Sequence, residues 1–374
     1  MKKVKSIIAI SAIALVLAGF SSCDQKPQND EAKSIKIGAI LPLTNSAAFV
    51  GIPIKNSILL KVNEFNEHSP TKIQVVFEDS QADVKEAVFA FEKLNSQGIK
   101  IVLGPVTSGE VLATAPIAEK NKIILFSPSA SAQNITNAGD YIFRNELSDL
   151  LGATMQARLA INRLHWKKIS ILYTDNDYGE GVKSAFKKEF EQLGGTIETA
   201  ISFKGGTTDF RTQILKLKSY QNDAVFVIAQ AEYPTIINQF IENKVPSKIY
   251  ATPIFEDPSF IQKIGKKNSD GIIYTYYGTF NLQTEDSVSK SFIDQYKSKY
   301  NIEPTYYGAL GYDNISILIE ALKRSNFDIE KTKASLYAIQ KFPGVTGEIS
   351  FDKNGDVSKP ITLKIVRDGA FTYY

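Results

Sequence analysis

Segments with the patterns of β-strands and α-helices alternate along this 374-residue chain from Ile35 to its C-terminus. Short runs of Val, Ile and Leu are typical of parallel strands that are buried on both faces. Longer segments between them carry apolar residues at helical spacing. An alternation of this kind predicts an α/β fold in which helices cover both faces of parallel sheets.

The alternation forms two successive series, one before and one after residue 148. The first predicts strands at Ile35–Leu41, Ile73–Phe77, Ile99–Leu103, Ile123–Phe126 and Tyr141–Phe143. The second predicts strands at Ile169–Tyr173, Thr196–Phe203, Ala224–Ile228, Lys248–Ala251 and Gly271–Thr275. Three helical segments and three short strands close the chain. Because this length also exceeds what one core usually organises, two doubly wound units are predicted.

Two neighbouring predicted strands end in loops rich in hydroxyl groups, Gly104-Pro-Val-Thr-Ser108 and Ser127-Pro-Ser-Ala-Ser131. Gly and Pro turn the chain out of the sheet there, so the loops lie at the carboxyl ends of strands. Open α/β sheets bind ligands at that edge, where helix N-termini also attract anions. Ser108, Ser129 and Ser131 are therefore candidate donors to a small carboxylate. The alternative is a structural role, since serine is common in turns and helix caps.

The charge balance argues against a nucleic-acid partner. The formal net charge of +3 comes entirely from Lys2, Lys3 and Lys5, because the first 22 residues contain no acid. The remainder of the chain is close to neutral, whereas nucleic-acid binding favours a basic face.

The N-terminus has the pattern of a secretory signal peptide. Basic residues precede Ser6–Phe20, an apolar stretch too short to span a membrane comfortably. The ending Gly-Phe-Ser-Ser-Cys resembles a bacterial lipobox, which implies that residues 1–22 are a lipoprotein signal peptide and that Cys23 carries the lipid anchor. Phe20 departs from the usual aliphatic residue, so ordinary secretion is the alternative. Polar residues 23–34 predict a flexible tether.

Five motifs follow one another across the chain: Phe77-Glu-Asp-Ser80, Leu103-Gly-Pro-Val-Thr-Ser108, Ser127-Pro-Ser-Ala-Ser131, Tyr173-Thr-Asp-Asn-Asp-Tyr-Gly-Glu-Gly181 and Gly344-Val-Thr-Gly-Glu-Ile-Ser-Phe-Asp352. Their order and spacing resemble the type I periplasmic binding proteins. Within that family the chain is most similar to the leucine/isoleucine/valine-binding branch, which serves ABC importers.

The resemblance implies two Rossmann-like lobes joined by three crossovers, with the ligand held between lobes that close about a hinge. Lobe one would comprise residues 35–145 and 276–340, and lobe two residues 146–275 and 341–374. The crossovers are expected near residues 144–148, 275–279 and 341–346.

The resemblance also implies roles for individual residues. Ser108 would receive the ligand's carboxylate, while Ser129 and Ser131 would contact its carboxylate and amine. Tyr178 matches an aromatic residue of lobe two that closes over the ligand.

Two positions of lobe two depart from the branched-chain receptors. A tyrosine expected there is replaced by Glu232, or is Tyr233 if the loop shifts by one residue. Ile254 stands where the acid that pairs with the ligand's amine is expected. Either Glu256 or Glu232 could take that role, and the alternative is a ligand without an amine.

Catalytic and metal-binding motifs find little support. The Ser-x-x-Lys patterns at Ser184–Lys187 and Ser287–Lys290 lie on predicted helix faces without the companion motifs of acyl-transfer enzymes. His68 and His165 lie at predicted helix ends outside any metal-ligand pattern. No enzyme activity, cofactor or metal is predicted.

The sequence therefore predicts a lipid-anchored solute-binding protein of the cell envelope. It would capture a small polar solute, an amino acid or related carboxylate, and deliver it to a membrane ABC permease. The alternatives are a ligand sensor of the same fold and, more remotely, a serine hydrolase.

Overall fold

A computed structural model describes residues 34–374 of the chain. The predicted signal peptide, Cys23 and the predicted tether up to residue 33 lie outside the described residues. No helix between residues 34 and 374 is long and apolar enough to cross a membrane.

The first series folds into a five-stranded parallel sheet of order β2-β1-β3-β4-β5. Its elements are β1 (Ser34–Leu41), α1 (Ala48–His68), β2 (Lys72–Asp79), α2 (Val84–Ser96), β3 (Ile101–Leu103), α3 (Ser108–Asn121), β4 (Ile124–Ser127) and β5 (Ile142–Arg144). Because β1 lies between β2 and β3, the chain leaves β1 and β3 in opposite directions. This reversal opens a crevice at the carboxyl ends of these two strands.

The second series forms a larger sheet with the same kind of reversal, between β6 and β8. Its elements are α4 (Asp149–Asn162), β6 (Lys168–Thr174), α5 (Asp177–Gln192), β7 (Thr196–Phe203), α6 (Arg211–Lys218), β8 (Ala224–Ile228), α7 (Tyr233–Glu242), β9 (Lys248–Ala251), α8 (Pro258–Ile264), α9 (Lys266–Ser269) and β10 (Ile273–Tyr277). These five strands run parallel in the order β10-β9-β8-β6-β7.

The remaining chain contributes to both sheets. Its elements are α10 (Ser287–Tyr300), α11 (Tyr306–Arg324), α12 (Ile329–Tyr337), β11 (Phe342–Gly344), β12 (Gly347–Phe351), β13 (Val357–Ser358), β14 (Ile361–Arg367) and β15 (Ala370–Tyr373). Helix α11 packs closely on α1, since a Cβ at Gly311 would lie 2.8 Å from the Cα of Ile54. Strands β14 and β15 extend the second sheet beyond β10, each antiparallel to its neighbour.

The segment of β11–β13 differs from the sequence prediction, which assigned residues 341–374 to lobe two. These strands form a separate small sheet that packs on the first sheet. The ring of Phe351 lies 5.7 Å from that of Phe126 and 5.9 Å from that of Phe143. Arg144 adds an ion pair to Asp356 at 2.6 Å. Burial of Phe351 against these rings therefore keeps the segment with the first sheet.

We accordingly call residues 34–144 and 280–358 the first lobe, and residues 149–277 and 361–374 the second lobe. The chain passes between them three times, and the three passages lie side by side. The Gly278 N–H donates to the Pro360 carbonyl at 2.7 Å. Lys359 Nζ donates to the Asn145 carbonyl, also at 2.7 Å. The third passage thus lies at Lys359–Pro360, not at residues 341–346 as expected.

Candidate functional site

A cavity lies between the two lobes, where the crevices of both sheets meet. The loops after β1 and β3 contribute Ser46 and residues 106–108, and the loops after β6 and β8 contribute Tyr178 and residues 230–232. The volume open to the centres of water molecules is about 100 Å³. One water needs only about 10–15 Å³ by that measure. The cavity therefore has room for a small solute.

The start of α3 presents Ser108 to this cavity. Thr107 caps the helix by accepting from the Glu110 N–H, and the Glu110 carboxylate accepts from the Thr107 N–H at 2.9 Å. The hydroxyl of Ser108 is therefore not needed as a helix cap. Gly104 allows the tight turn that precedes it, since its φ is +90° and a Cβ there would lie 2.1 Å from the Ile40 carbonyl oxygen.

The hydroxyl of Ser108 ties the two serine-rich loops together. Its Oγ accepts from the N–H groups of Ser131, at 3.3 Å, and Ala132, at 3.1 Å. Ser129 Oγ donates to the Val106 carbonyl at 3.0 Å. All three predicted serines line the cavity. Since Ser108 only accepts in these bonds, its own proton is left to donate to a ligand.

Four tyrosines face the cavity as neutral phenols. Tyr178 lies in the first turn of α5, whose cap Asn176 accepts from the Gly179 N–H at 2.9 Å. Burial raises the pKa of the Tyr178 phenol well above its ordinary value. Burial likewise raises the phenol pKa of the other three, which are Tyr277, Tyr306 and Tyr307. These side chains can donate or accept hydrogen bonds without adding charge.

Glu232 also lines the cavity, together with Ile254. The Glu232 carboxylate is already engaged, because Oε1 accepts from the Gly206 N–H at 2.8 Å and Oε2 from the Gln230 N–H at 3.2 Å. Tyr233, the alternative to Glu232, is fully buried and donates to the Val227 carbonyl at 2.8 Å. Of these two residues, Glu232 is therefore the one that lines the cavity.

The structure does not bring Glu256 to this cavity, which corrects the expectation that it faces a ligand's amine. Its Oε1 lies 2.6 Å from Lys364 Nζ, and its Oε2 accepts from the Tyr274 hydroxyl at 2.7 Å. Both charged groups line a separate cavity. Lys364 of β14 therefore takes the place beside Glu256 that the ligand's amine was expected to take.

An acid that sequence reasoning missed, Asp149, lies in the cavity wall. It is the first residue of α4, and its side chain is 4% exposed. Its Oδ2 has no hydrogen-bond partner within residues 34–374. Burial raises the pKa of this carboxyl to about 7, an effect that the Ser131 hydroxyl partly opposes. Because Ser148-Asp149 is an ordinary sequence for a helix start, the sequence alone does not single this acid out.

A second missed acid, Glu146, lies on the same wall. It accepts from the Tyr306 hydroxyl at 3.0 Å and from the Leu147 N–H at 2.9 Å. Burial raises its pKa, and the charge of Lys359 opposes that rise. No Lys, Arg or His is among the described residues that line the cavity. The cavity lining therefore has more carboxylates than cations, while Lys359 and Arg144 act on Glu146 from outside it.

The residues considered for other chemistry lie at the surface. Ser184, Lys187, Ser287 and Lys290 are exposed on helix faces, and so are both histidines at their segment ends. Between residues 34 and 374, no group of acids, histidines or cysteines could hold a metal ion.

Comparison with known proteins identifies the class to which this fold and site belong. The chain belongs to the periplasmic binding protein family, whose model matches residues 34–370. Members of this family are extracytoplasmic proteins that bind small molecules, and they include the substrate-binding proteins of ABC transporters.

The similar proteins differ in the ligands that their descriptions name. A leucine-, isoleucine-, valine-, threonine- and alanine-binding protein of Pseudomonas aeruginosa is 26% identical over 96% of this chain and 95% of its own length. The structure of a leucine-binding protein from Thermotoga maritima aligns with a TM-score of 0.85 and 27% identity, covering 91% of this chain and 97% of the other. A solute-binding protein from R. palustris in complex with benzoate aligns with a TM-score of 0.84 and 19% identity, covering 91% and 95%. The last likeness concerns the fold alone.

Proposed function

We propose that this chain is the solute-binding protein of an ABC importer and that it captures an amino acid between its two lobes. The observation that carries the proposal is the pairing of unlike groups in one cavity. The serine-rich loops supply a hydroxyl and a helix N-terminus, and Asp149 supplies a buried carboxylate with one unpartnered oxygen. An amino acid carries a carboxylate and an ammonium group that fit these two ends.

The carboxylate end of the ligand binds near Ser108. Its hydroxyl proton is free to donate, and it stands in the first turn of α3, where the helix dipole favours an anion. Both serine-rich loops are held by their own hydrogen bonds, so little conformational entropy is lost when the ligand arrives.

The ammonium end of the ligand binds near Asp149. A buried carboxylate without a partner is costly, and an ammonium group offsets that cost by charge and by hydrogen bonding. Among residues 34–374, Arg144 is the cation that acts on Asp149, and Arg144 is itself paired with Asp356. A simple benzoate-like acid brings no ammonium group and leaves Asp149 unpaired. The surplus of carboxylates therefore favours an amino acid.

The two lobes close over the ligand by bending at the three adjacent passages near Gly278, Asn145 and Pro360. Tyr178 of the second lobe then covers the ligand from the side opposite Ser108. The closed form is the one that an ABC permease receives. Such a protein needs no catalytic group, and the exposed Ser184 and Ser287 take no part in binding.

A thermal-shift screen of residues 34–374 against amino acids and matched carboxylic acids tests the proposal. A ligand at about 100 times its Kd adds about 2.7 kcal/mol to the free energy of unfolding. We expect at least one amino acid to raise the Tm, with its deaminated analogue far less effective. A screen in which only acids without an amine stabilise the protein would contradict the proposal.

The lipid anchor is a separate proposal, which rests on the sequence around Cys23. Cys23→Ala is expected to leave the protein unprocessed or released from the membrane, because no other cysteine exists to be acylated. Detergent partitioning of the variant tests this, and normal partitioning into the detergent phase would contradict the anchor.

A further inference from the structure

Gln156 is a second unpartnered acceptor in the wall of the cavity. It belongs to α4, lines the cavity and is 1% exposed. Its Nε2 donates to the hydroxyl of Thr275, while its Oε1 has no partner among the residues that the structure describes. Buried acceptors in folded proteins nearly always have a donor, so this oxygen requires one.

Gln156 lies on the same side of α4 as Asp149. The two residues are seven positions apart, which is two helical turns or about 10 Å along the axis. Gly152, between them, lets the Tyr277 side chain pack against this face, since a Cβ there would lie 2.2 Å from the Tyr277 hydroxyl oxygen. The wall therefore offers two acceptors whose separation suits donors at opposite ends of one extended small molecule.

The charge of the cavity points to the nature of the second donor. Glu146, Asp149 and Glu232 all line it, and its described lining includes no basic side chain. Lys359 offsets Glu146 from outside the lining, which leaves Asp149 and Glu232. The α-ammonium of an amino acid offsets one of these two charges and its carboxylate adds another. A further positive charge on the ligand reduces this imbalance, whereas an aliphatic side chain does not.

We propose that the solute is a basic amino acid whose side-chain ammonium donates to Gln156 Oε1 while its α-ammonium pairs with Asp149. This inference rests on the proposed function and narrows it. The side chains of leucine, isoleucine and valine leave the Gln156 oxygen without a donor. Sites built to hydrogen-bond a polar group strongly reject analogues that lack that group.

Isothermal titration calorimetry of residues 34–374 with ligands matched in length tests the inference. Lysine is compared with norleucine, and ornithine with norvaline, since each pair differs in the terminal amine. We expect the amine-bearing member to bind at least tenfold more tightly.

Gln156→Leu should remove this preference, and Gln156→Glu should retain it because a carboxylate also accepts. Gln192→Leu, an exposed glutamine at the end of α5, is the matched control and should change nothing.

The outcomes distinguish a failure of the basic-amino-acid inference from a failure of the proposed amino-acid function. If norleucine or leucine binds as tightly as lysine, the inference is overturned while the amino-acid function stands. If no amino acid of any kind binds, the proposed function fails and the inference fails with it. The wild-type comparison needs no variant, so a Gln156→Leu protein that does not fold leaves the test intact.

Discussion

Two acids of the second lobe, Glu256 and Asp149, are both buried but have opposite surroundings. Glu256 meets Lys364 and Tyr274, so each of its oxygens has a partner. Asp149 lies in the wall of the cavity between the lobes, with one oxygen unpartnered. A buried acid whose charge is offset by its own chain needs no ligand, whereas one with an unpartnered oxygen beside a cavity is a candidate to receive a ligand.

The pKa values of the two acids depend on the same two factors, burial and the neighbouring charges and hydrogen bonds. Burial raises the pKa of both carboxyls, but the charge and hydrogen bond of Lys364 oppose the rise at Glu256. At Asp149 only the Ser131 hydroxyl and the charge of Arg144 oppose it, and the pKa is about 7. Glu256 is near the sequence position where the amine-binding acid was expected, but its charge is already offset by Lys364. The charges around each acid therefore identify the candidate better than its position in the sequence.

The largest expected effect concerns the stability contributed by Glu256. Glu256→Gln leaves the buried Lys364 ammonium without its counter-ion, and breaking a buried pair in this way costs about 3–5 kcal/mol. Urea unfolding should show this loss, while the amino-acid Kd should stay within about twofold of the wild type. Glu285→Gln, at an exposed position, should affect neither quantity. A large rise in Kd with unchanged stability would instead return Glu256 to the ligand site.

A smaller loss, in affinity, is expected from a change at the carboxylate end of the ligand. Ser108→Ala removes a donor to the carboxylate, and a hydrogen bond to a charged group is worth about 1.5–3 kcal/mol, or about ten- to a hundredfold in affinity. Because the same hydroxyl accepts from the N–H groups of Ser131 and Ala132, the Tm should fall as well. Ser96→Ala, at the exposed end of α2, is the control for calorimetry and melting. Unchanged affinity would exclude Ser108 from the carboxylate site.

The pH dependence should follow the Asp149 carboxyl. A ligand ammonium pairs with the ionised form, so affinity should fall about tenfold for each pH unit well below 7 and level off above it. The ligand-free protein should show the opposite trend in stability. Because the folded pKa is raised from 3.8 to about 7, the folded state binds more protons between these values, and the free energy of unfolding should fall as pH rises through that range.

Calorimetry and urea unfolding between pH 5 and pH 8 measure both trends. Asp149→Asn should flatten them, since an amide does not titrate. Trends that persist in the variant would assign the titration to another group, such as Glu146.

The periodicity of the sequence was sufficient to predict most of the fold. The strands Thr196–Phe203, Ala224–Ile228 and Lys248–Ala251 have the predicted bounds. Ala224–Ile228 is a fully buried apolar run, whereas Thr196–Phe203 is a largely unburied strand at the sheet edge. The short strands β11 and β13 were not predicted, since Phe342–Gly344 and Val357–Ser358 are too short to carry a pattern. The place of this small sheet on the first lobe depends on contacts of Phe351 with Phe126 and Phe143, which are distant in sequence.

The sequence predicted those residues of the candidate site that lie in a recognisable local pattern. Ser108 and Ser131 follow buried strands in loops that must lie at a sheet edge, and the structure brings both to the cavity. Glu256 could not be judged from sequence, because its partner Lys364 is more than 100 residues away. Asp149 and Gln156 have ordinary positions on a helix. They become candidates because Asp149 Oδ2 and Gln156 Oε1 are buried without a hydrogen-bond partner, which the sequence does not show.

The most direct test of the account compares an amino acid with its deaminated analogue on the wild type and on Asp149→Asn. Calorimetry should show that the wild type prefers the amino acid by tenfold or more, because only its ammonium pairs with the buried carboxylate. The variant should lose this preference while its Tm stays the same or rises, since an unpaired buried charge has been removed. If Asp149→Asn retains the full preference for the amino acid, Asp149 does not bind the amine and the central claim is wrong.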